Sequence, residues 1–295
     1  MATETLINKF VELRRYLWAV AYDMTGEIHE AEDIVQDAFE VVSRLQDNAV
    51  ANPKAYFTRI VVNKSIDRLK ELQVQRVNYP GPWLPEPVVT LPGETTNEHT
   101  LDYAIMHIAE QLNPIERAVF ILREAFSYSY AEIAELCDIS EANCRQILHR
   151  ARGKVRENRQ HFVDDHRNID ALLNAFVNAA IEEDHDGLKA LLREDIRLYS
   201  DGGGKASAAR NVLHGPEHIS KFVVGISRRI KNEWQKAIPV LVNNAPGRLI
   251  YYNGAPHLLL MIDESSDGLS EIFIVRNPEK ISLANLSQNR LWIDI

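Results

Sequence analysis

The chain has 295 residues, 45% of them apolar and 25% charged, with a formal net charge of -9 at pH 7. This is the composition of a soluble globular protein with room for two or three domains, each with its own core. No apolar run approaches the roughly 18 residues that a membrane-spanning helix needs, and Met1-Ala2-Thr3-Glu4-Thr5 lacks the basic and apolar regions of a secretion signal, so a cytoplasmic location is expected.

Phe10, Leu13, Leu17, Val20 and Met24 recur at three and four, which predicts an amphipathic helix ending near Gly26. A second helix, about Glu30 to Leu45, is expected to bury Ala31, Ile34, Ala38, Val41 and Leu45. Its opposite side gathers Glu32, Asp33, Gln36, Asp37 and Glu40 into a polar wedge, either solvated surface or a docking face for a basic partner. Asn52-Pro53 is an N-cap with proline at the first helical position. The helix it opens, to about Gln73, sets Phe57, Val61, Val62, Ile66 and Leu69 on an apolar side. Tyr56, Arg59, Asn63 and Lys70 lie across from them, with Lys64 and Arg68 nearer the edge. Such a row suits single-stranded DNA, because bases stack on the aromatic ring, the amide bonds an extruded base and the cations follow the backbone. Tyrosine and asparagine are also ordinary on helix surfaces.

Between Pro80 and Pro92 the linker Y-P-G-P-W-L-P-E-P-V-V-T-L-P holds five prolines, which forbid helix and favour an extended path. Trp83 and Leu84 are out of place in a flexible spacer and are expected to dock on a folded surface. Leu101, Ile105, Ile108 and Leu112 mark another helix, and Asn113-Pro114 caps the next, which runs to Phe126.

Ser129 stands three residues before Glu132, a capping box that opens a short helix through Leu136. After a turn at Cys137-Asp138-Ile139, Ser140 caps a helix with Cys144, Ile147, Leu148, Ala151 and Val155 on its core face. At about 100° per residue the other side collects Arg145, Gln146, His149, Arg152 and Arg156, flanked by Arg150 and Lys154. A helix-turn-helix with a basic second helix is a form that a DNA major groove admits; a charged face on an ordinary helical hairpin is the plainer alternative. Cys137 and Cys144 are expected to be buried free thiols, not a disulfide or metal pair. Cations crowd at 145–159 and acids at 27–40 and near 182–186. So acidic a chain is expected to bind free DNA poorly, and to contact DNA within a larger assembly or after an acidic part has moved aside.

Beyond Asp164-Asp165-His166, Leu172, Phe176, Ala180 and Leu188 to Leu192 belong to two helices. Period-two segments follow at Ile196–Tyr199, Trp234–Val242, Leu249–Tyr252, His257–Ile262 and Glu271–Val275, with Asn253-Gly254 as a hairpin turn. The pattern predicts an α+β domain whose bent antiparallel sheet packs on its helices. Asp201-Gly202-Gly203-Gly204 allows positive φ and close backbone approach, at a pocket mouth or another segment, but lacks the spacing of a phosphate-binding loop.

Taken together these pieces resemble the sigma-70 family, specifically an extracytoplasmic-function sigma factor with a SnoaL-like C-terminal extension. Residues 10–76 resemble the second sigma domain, with A-E-D-I-V-Q-D-A-F at 31–39 and N-P-K-A-Y-F-T-R-I-V-V-N-K-S-I-D at 52–67. Residues 101–160 resemble the fourth, with L-N-P-I-E-R-A-V-F at 112–120, Y-A-E-I-A at 130–134 and H-R-A-R at 149–152. W-L-P-E-P at 83–87, D-G-G-G at 201–204 and N-P-E-K-I at 277–281 resemble the signatures of the subgroup carrying the extension.

The resemblance implies that Glu32, Asp33, Gln36 and Asp37, with Glu40 beside them, bind the clamp of core RNA polymerase. It implies that Tyr56, Phe57 and Asn63, flanked by Arg59 and Lys64, lie near the melted minus-ten element. Arg145, Gln146, His149 and Arg152, extended by Arg150 and Arg156, would read the minus-thirty-five element. Trp83, Leu84, Pro85, Glu86, Pro87, Asp201, Gly202, Gly203, Gly204, Asn277, Pro278 and Lys280 would form the interdomain contact through which the extension regulates in cis, in place of a separate anti-sigma protein. Two positions depart from the family: Tyr56 is often tryptophan, and Asp138 often glycine.

The expected division is 1–76 sigma domain two, 77–100 linker, 101–165 sigma domain four and 166–295 SnoaL-like domain: two all-α DNA-binding domains, then an α+β domain. The expected function is promoter-specific initiation with core RNA polymerase and promoter DNA as partners, no catalytic centre, no metal and no cofactor. The alternative is a SnoaL-like domain that binds a small ligand or retains isomerase or cyclase activity, for which Asp201, His214 and His218 are the candidate proton-transfer groups.

Overall fold

The computed structural model describes residues 2–45, 50–91, 100–158, 169–230, 234–265 and 268–281. They divide into two compact units, Met1–Val77 with Asn97–Gln160, and Asn78–Thr96 with His161–Ile295.

The first unit is helical. α1 (Ala2–Thr25), α2 (Ile28–Ser43) and α3 (Pro53–Arg76) pack around Phe10, whose ring lies 5.5 Å from that of Phe39 and 5.2 Å from that of Phe57. Gly26 ends α1 at φ 73°, and the Asn52 side chain accepts from the Ala55 N–H to start α3. α2 begins earlier than its sequence pattern suggested. Steps of three and four from Ile28 lead through Ala31, Val35 and Ala38 to Val42, so Val41, expected in the core, is 37% exposed, and Leu45 lies beyond the helix.

α4 (Tyr103–Ala109), α5 (Pro114–Glu124), α6 (Tyr130–Leu136) and α7 (Glu141–Asn158) complete the unit. Both reciprocal capping boxes are formed, Asn113 with Glu116 and Ser129 with Glu132. The turn between α6 and α7 is a Schellman closure: the Ile139 N–H donates to the Ala134 carbonyl at 3.0 Å, and Asp138 takes the left-handed position at φ 54°. Aspartate thus does there what glycine does at lower cost.

One of the largest fully buried side chains, Arg117 of α5, joins the two halves of this unit. Its guanidinium donates to the Asp23 carbonyl (Nη2, 3.0 Å) and pairs with Glu110, which also pairs with Arg76. Arg76 in turn reaches Glu27 at 2.7 Å and the Thr25 carbonyl at 2.8 Å. The Asp23 carboxylate is fully buried and accepts the Leu101 N–H at 3.2 Å.

The second unit is α+β, with α8 (Ile169–Glu182), α9 (His185–Leu191) and α10 (Pro216–Ile230) over one mixed sheet. Its strands are β1 (Val89–Thr90), β2 (Leu192–Asp201), β3 (Leu213–His214), β4 (Trp234–Val242), β5 (Ala245–Tyr252), β6 (Ala255–Ser265) and β7 (Gly268–Val275), in the order β1-β4-β5-β6-β7-β2-β3. The sheet is antiparallel except for the parallel β2–β7 pair. Asn253-Gly254 forms the expected hairpin turn, and Asn243-Asn244 forms a second with both residues at positive φ. α10 has no counterpart in the sequence reading, although Ile219, Val223 and Val224 show helical spacing; these join Phe176, Ile196, Leu258, Leu260 and Ile274 in the core.

Burial holds the Asp23 carboxyl well above the usual carboxylate range, against the opposing pull of the Leu101 N–H and Arg117. A carboxyl whose folded-state pKa is raised stabilises the fold only while protonated, so its ionisation weakens the unit as pH climbs from the normal carboxylate range to the folded value. Asp23→Asn keeps an acceptor for Leu101 and removes the charge. Denaturant titrations are expected to show the variant more stable than the parent at about pH 8, with the advantage shrinking toward about pH 4; a pH-independent difference would contradict this.

Candidate nucleic-acid interface and the docked linker

The core face of α7 is made by Cys144, Ile147, Leu148, Ala151 and Val155, all buried. Arg145, Gln146, His149, Arg150 and Arg156 are exposed and Arg152 is half-buried, so Arg145, His149, Arg152 and Arg156 share one side of the helix. Acids from the same unit hold several of these cations. Arg152 pairs with Glu124 at 2.7 Å, Lys154 with Glu116 at 2.7 Å, and Arg145 with Glu141 one turn earlier. The Arg145 guanidinium also lies 4.3 Å from the Tyr130 ring centroid. None of these partners was singled out in the sequence; Glu124 is 28 residues from Arg152 and carries no local signal. Both cysteines are free and buried, and burial pushes the Cys137 thiol up to about 12, which keeps it neutral and unreactive.

On α3, Arg59 and Asn63 are exposed and Tyr56 is half-buried, with its ring 6.3 Å from that of Phe57. Phe57 itself is a correction: its side chain is fully buried against Phe10, so it supports the row from beneath and has no surface to offer a nucleotide. Lys64 is tied to Asp37 of α2 at 2.9 Å, and Arg68 to Glu30 at 2.6 Å. These pairs line a polar cleft of about 500 Å³ between α2 and α3, on which Asp33, Gln36 and Asp37 also lie. Glu40 is exposed and Glu32 half-buried.

In the second unit three distant sequence signatures meet at one carboxylate. Asp201 ends β2, opposite Val275 of β7, and the parallel pairing brings the N-P-E-K segment beside it; the Asn277 N–H donates to the Asp201 carbonyl at 2.9 Å. The Asp201 side chain is fully buried. It accepts from the Tyr79 hydroxyl (2.6 Å), the Leu84 N–H (3.1 Å), the Gly203 N–H (2.9 Å) and the Lys280 ammonium (2.8 Å). Lys280 also donates to the Leu84 carbonyl and lies 4.4 Å from the Trp83 ring centroid, a cation over an aromatic face. Leu84, Pro85, Glu86 and Pro87 are buried, Trp83 is half-buried and Pro278 is exposed. The glycines make room: at Gly203 (φ 60°) a Cβ would stand 2.4 Å from Asn277 Nδ2, and at Gly204 (φ 70°) 2.8 Å from Pro80 Cγ. β1 then adds the linker to the β4 edge, where Val88 and Asn243 exchange hydrogen bonds at 3.0 and 2.9 Å. Tyr79 and Asn243 were missed, since neither belongs to a periodic pattern.

Residues 10–74 match the family described as Sigma-70 region 2, and residues 103–155 match Sigma-70, region 4. The ECF RNA polymerase sigma factor SigJ of Mycobacterium tuberculosis is 33% identical over 233 residues, covering 76% of this chain and 73% of SigJ. The chain is an ECF RNA polymerase sigma factor. A probable ECF sigma factor, SigI, of the same organism is 26% identical across 91% of this chain and 92% of its own length. The crystal structure of SigJ superposes with a TM-score of 0.75 at 29% identity, over 93% of this chain and 97% of that one. That coverage includes the second unit, the SnoaL-like C-terminal extension of this sigma factor.

The α+β unit of the sigma factor holds an apolar cavity lined by Phe176, Ala180, Val223, Leu258, Leu260 and Ile274. Asp201 is sealed by its four donors, and His214 and His218 are exposed, so the three candidate proton-transfer groups are not brought together in that cavity. No described helix of the sigma factor is long and apolar enough to cross a membrane, and no group of metal-ligating residues is assembled among the described residues.

Removing Lys280 leaves the Asp201 charge buried without a counter-ion, a change that costs about 3–5 kcal/mol where measured. Lys280→Met is therefore expected to lower the denaturant midpoint of the α+β unit and to shift Trp83 emission to longer wavelength with easier acrylamide quenching. Parental emission and midpoint together would show that the pair does not hold the linker.

Proposed function

We propose that this sigma factor is regulated in cis by its SnoaL-like extension, and that the grip of the extension on the W-L-P-E-P linker is the regulatory contact. The observation that carries this is the Asp201 site, where Tyr79 and Leu84 of the linker share one buried carboxylate with Lys280. A linker spliced into a sheet edge is not free to change its span, and that span governs how the two DNA-reading domains reach a promoter. The domains we assign are 1–76 (polymerase and minus-ten), 101–165 (minus-thirty-five) and 166–295 (regulatory), joined by 77–100. Asp33, Gln36, Asp37, Glu32 and Glu40 bind the polymerase clamp; Tyr56, Arg59, Asn63 and Lys64 engage melted DNA over the Phe57 support; Arg145, Gln146, His149, Arg150, Arg152 and Arg156 read duplex DNA. The protein acts in the cytoplasm with core polymerase and promoter DNA, and without catalysis of its own.

The first unit supports a closed resting state. Thr58, near the start of α3, and Tyr128, just before α6, meet at 3.4 Å. The minus-ten and minus-thirty-five elements stand about 25 base pairs apart, on the order of 85 Å at 3.4 Å per base pair. Two readers in contact cannot span that distance, so engagement requires them to part. The pairing of Arg145, Arg152 and Lys154 with local acids lowers the affinity of this state for bare DNA in the same way.

Runoff transcription with core enzyme, on a promoter recovered by selection with the holoenzyme, tests the proposal. Trp83→Ala and a truncation near Asp165 are each expected to change runoff yield severalfold, with the far-ultraviolet circular dichroism of the helical domains retained. Unchanged yield from Trp83→Ala would defeat the linker reading. Asp33→Lys with Asp37→Lys is expected to reduce copurification with core polymerase about tenfold or more, and undiminished recovery would move the clamp surface elsewhere.

A further inference from the structure

The Arg145 guanidinium of α7 is held both from α6 and from its own helix. Its guanidinium stacks on Tyr130, the first residue of α6, at 4.3 Å and pairs with Glu141. A second guanidinium, that of Arg123 from α5, lies over the same ring at 4.9 Å and is itself fixed by donating to the Tyr128 carbonyl at 2.7 Å. Three helices thus converge on one half-buried tyrosine ring. Long arginine side chains carry large rotamer entropy, and a planar fork that is already oriented loses less of it on forming paired hydrogen bonds. A cation that only neutralises phosphate needs no such holder, because a point charge on a flexible stem serves as well. Bidentate recognition of a base edge needs one, since both N–H groups must meet two acceptors in one plane.

We propose that Tyr130, seated by Arg123, is a positioning residue that makes Arg145 a base-reading side chain, with guanine as the base, and so sets promoter specificity at one base pair. This rests on the assignment of α7 as the duplex-reading helix. Tyr130 touches no base itself; it removes the alternative directions of the guanidinium.

The test uses the full-length chain with core polymerase and a pool of duplexes randomised across the upstream element, sequenced after selection. Arg145→Ala is expected to abolish preference at one or two adjacent base pairs, and Tyr130→Leu to erase preference at those same pairs, at least tenfold, while the others keep theirs. Tyr130→Phe, which keeps the ring, is expected to restore the profile. Because Arg145 stays charged in Tyr130→Leu, the salt dependence of binding to a non-selected duplex is expected to match the parent. A parental profile for Tyr130→Leu, or equal loss at every position, overturns the positioning role. Failure of Arg145→Ala to change any position overturns the base-reading role of Arg145, whereas an unchanged profile after joint replacement of Arg145, His149 and Arg152 by alanine overturns the assignment of α7, so the two failures are distinguishable.

Discussion

A carboxylate with no solvent contact organises the second unit. Taking Asp201 and Lys280 out of water costs several kcal/mol per ion, which their mutual attraction offsets only when the remaining lone pairs are also satisfied. Here they are: a phenol, two backbone amides and an ammonium converge on Asp201. The demand for complete satisfaction couples the linker to the segments that follow β2 and β7. Withdrawing the Leu84 amide or the Tyr79 hydroxyl raises the cost of leaving the charge in place, so linker docking acts as a unit. The glycines after Asp201 are part of the same constraint, because side chains at Gly203 and Gly204 would collide with Asn277 and Pro80.

The first unit follows a related rule with the sign reversed. Arg117 is buried and answered by the Asp23 carbonyl and by Glu110, which shares its charge with Arg76. The α7 face presented to solvent contributes little to stability, as exposed ion pairs are each worth about 0–1 kcal/mol. What they do is orient. Glu124, Glu116 and Glu141 hold cations in place and shield them from stray phosphate, which reconciles a chain of net charge -9 with a role on DNA.

Much of this was legible in the chain itself. The capping signals before α3, α5 and α6, the hairpin at Asn253-Gly254 and the partition of α7 into core and basic faces follow from chemistry that acts within four residues, and such chemistry is written in the local sequence. The resemblance of W-L-P-E-P, D-G-G-G and N-P-E-K to a subgroup marked those segments as related without saying how they meet. The failures have physical causes too. Val41 was chosen over Val42 because the apolar stripe starts at Ile28, outside the expected helix, and Phe57 was counted in two roles of which burial allows one.

What the sequence alone determined was the existence and type of the helices, the basic face of α7 and the family to which the chain belongs, because periodicity and caps need no partner. Only the tertiary structure decided that β2 runs parallel to β7, that the linker becomes an edge strand beside β4, and that the guanidinium groups of Arg123 and Arg145 share the Tyr130 ring. Those contacts join residues up to about 150 positions apart, where pairing is set by which backbone edge or side chain needs which partner, and no local pattern records that need.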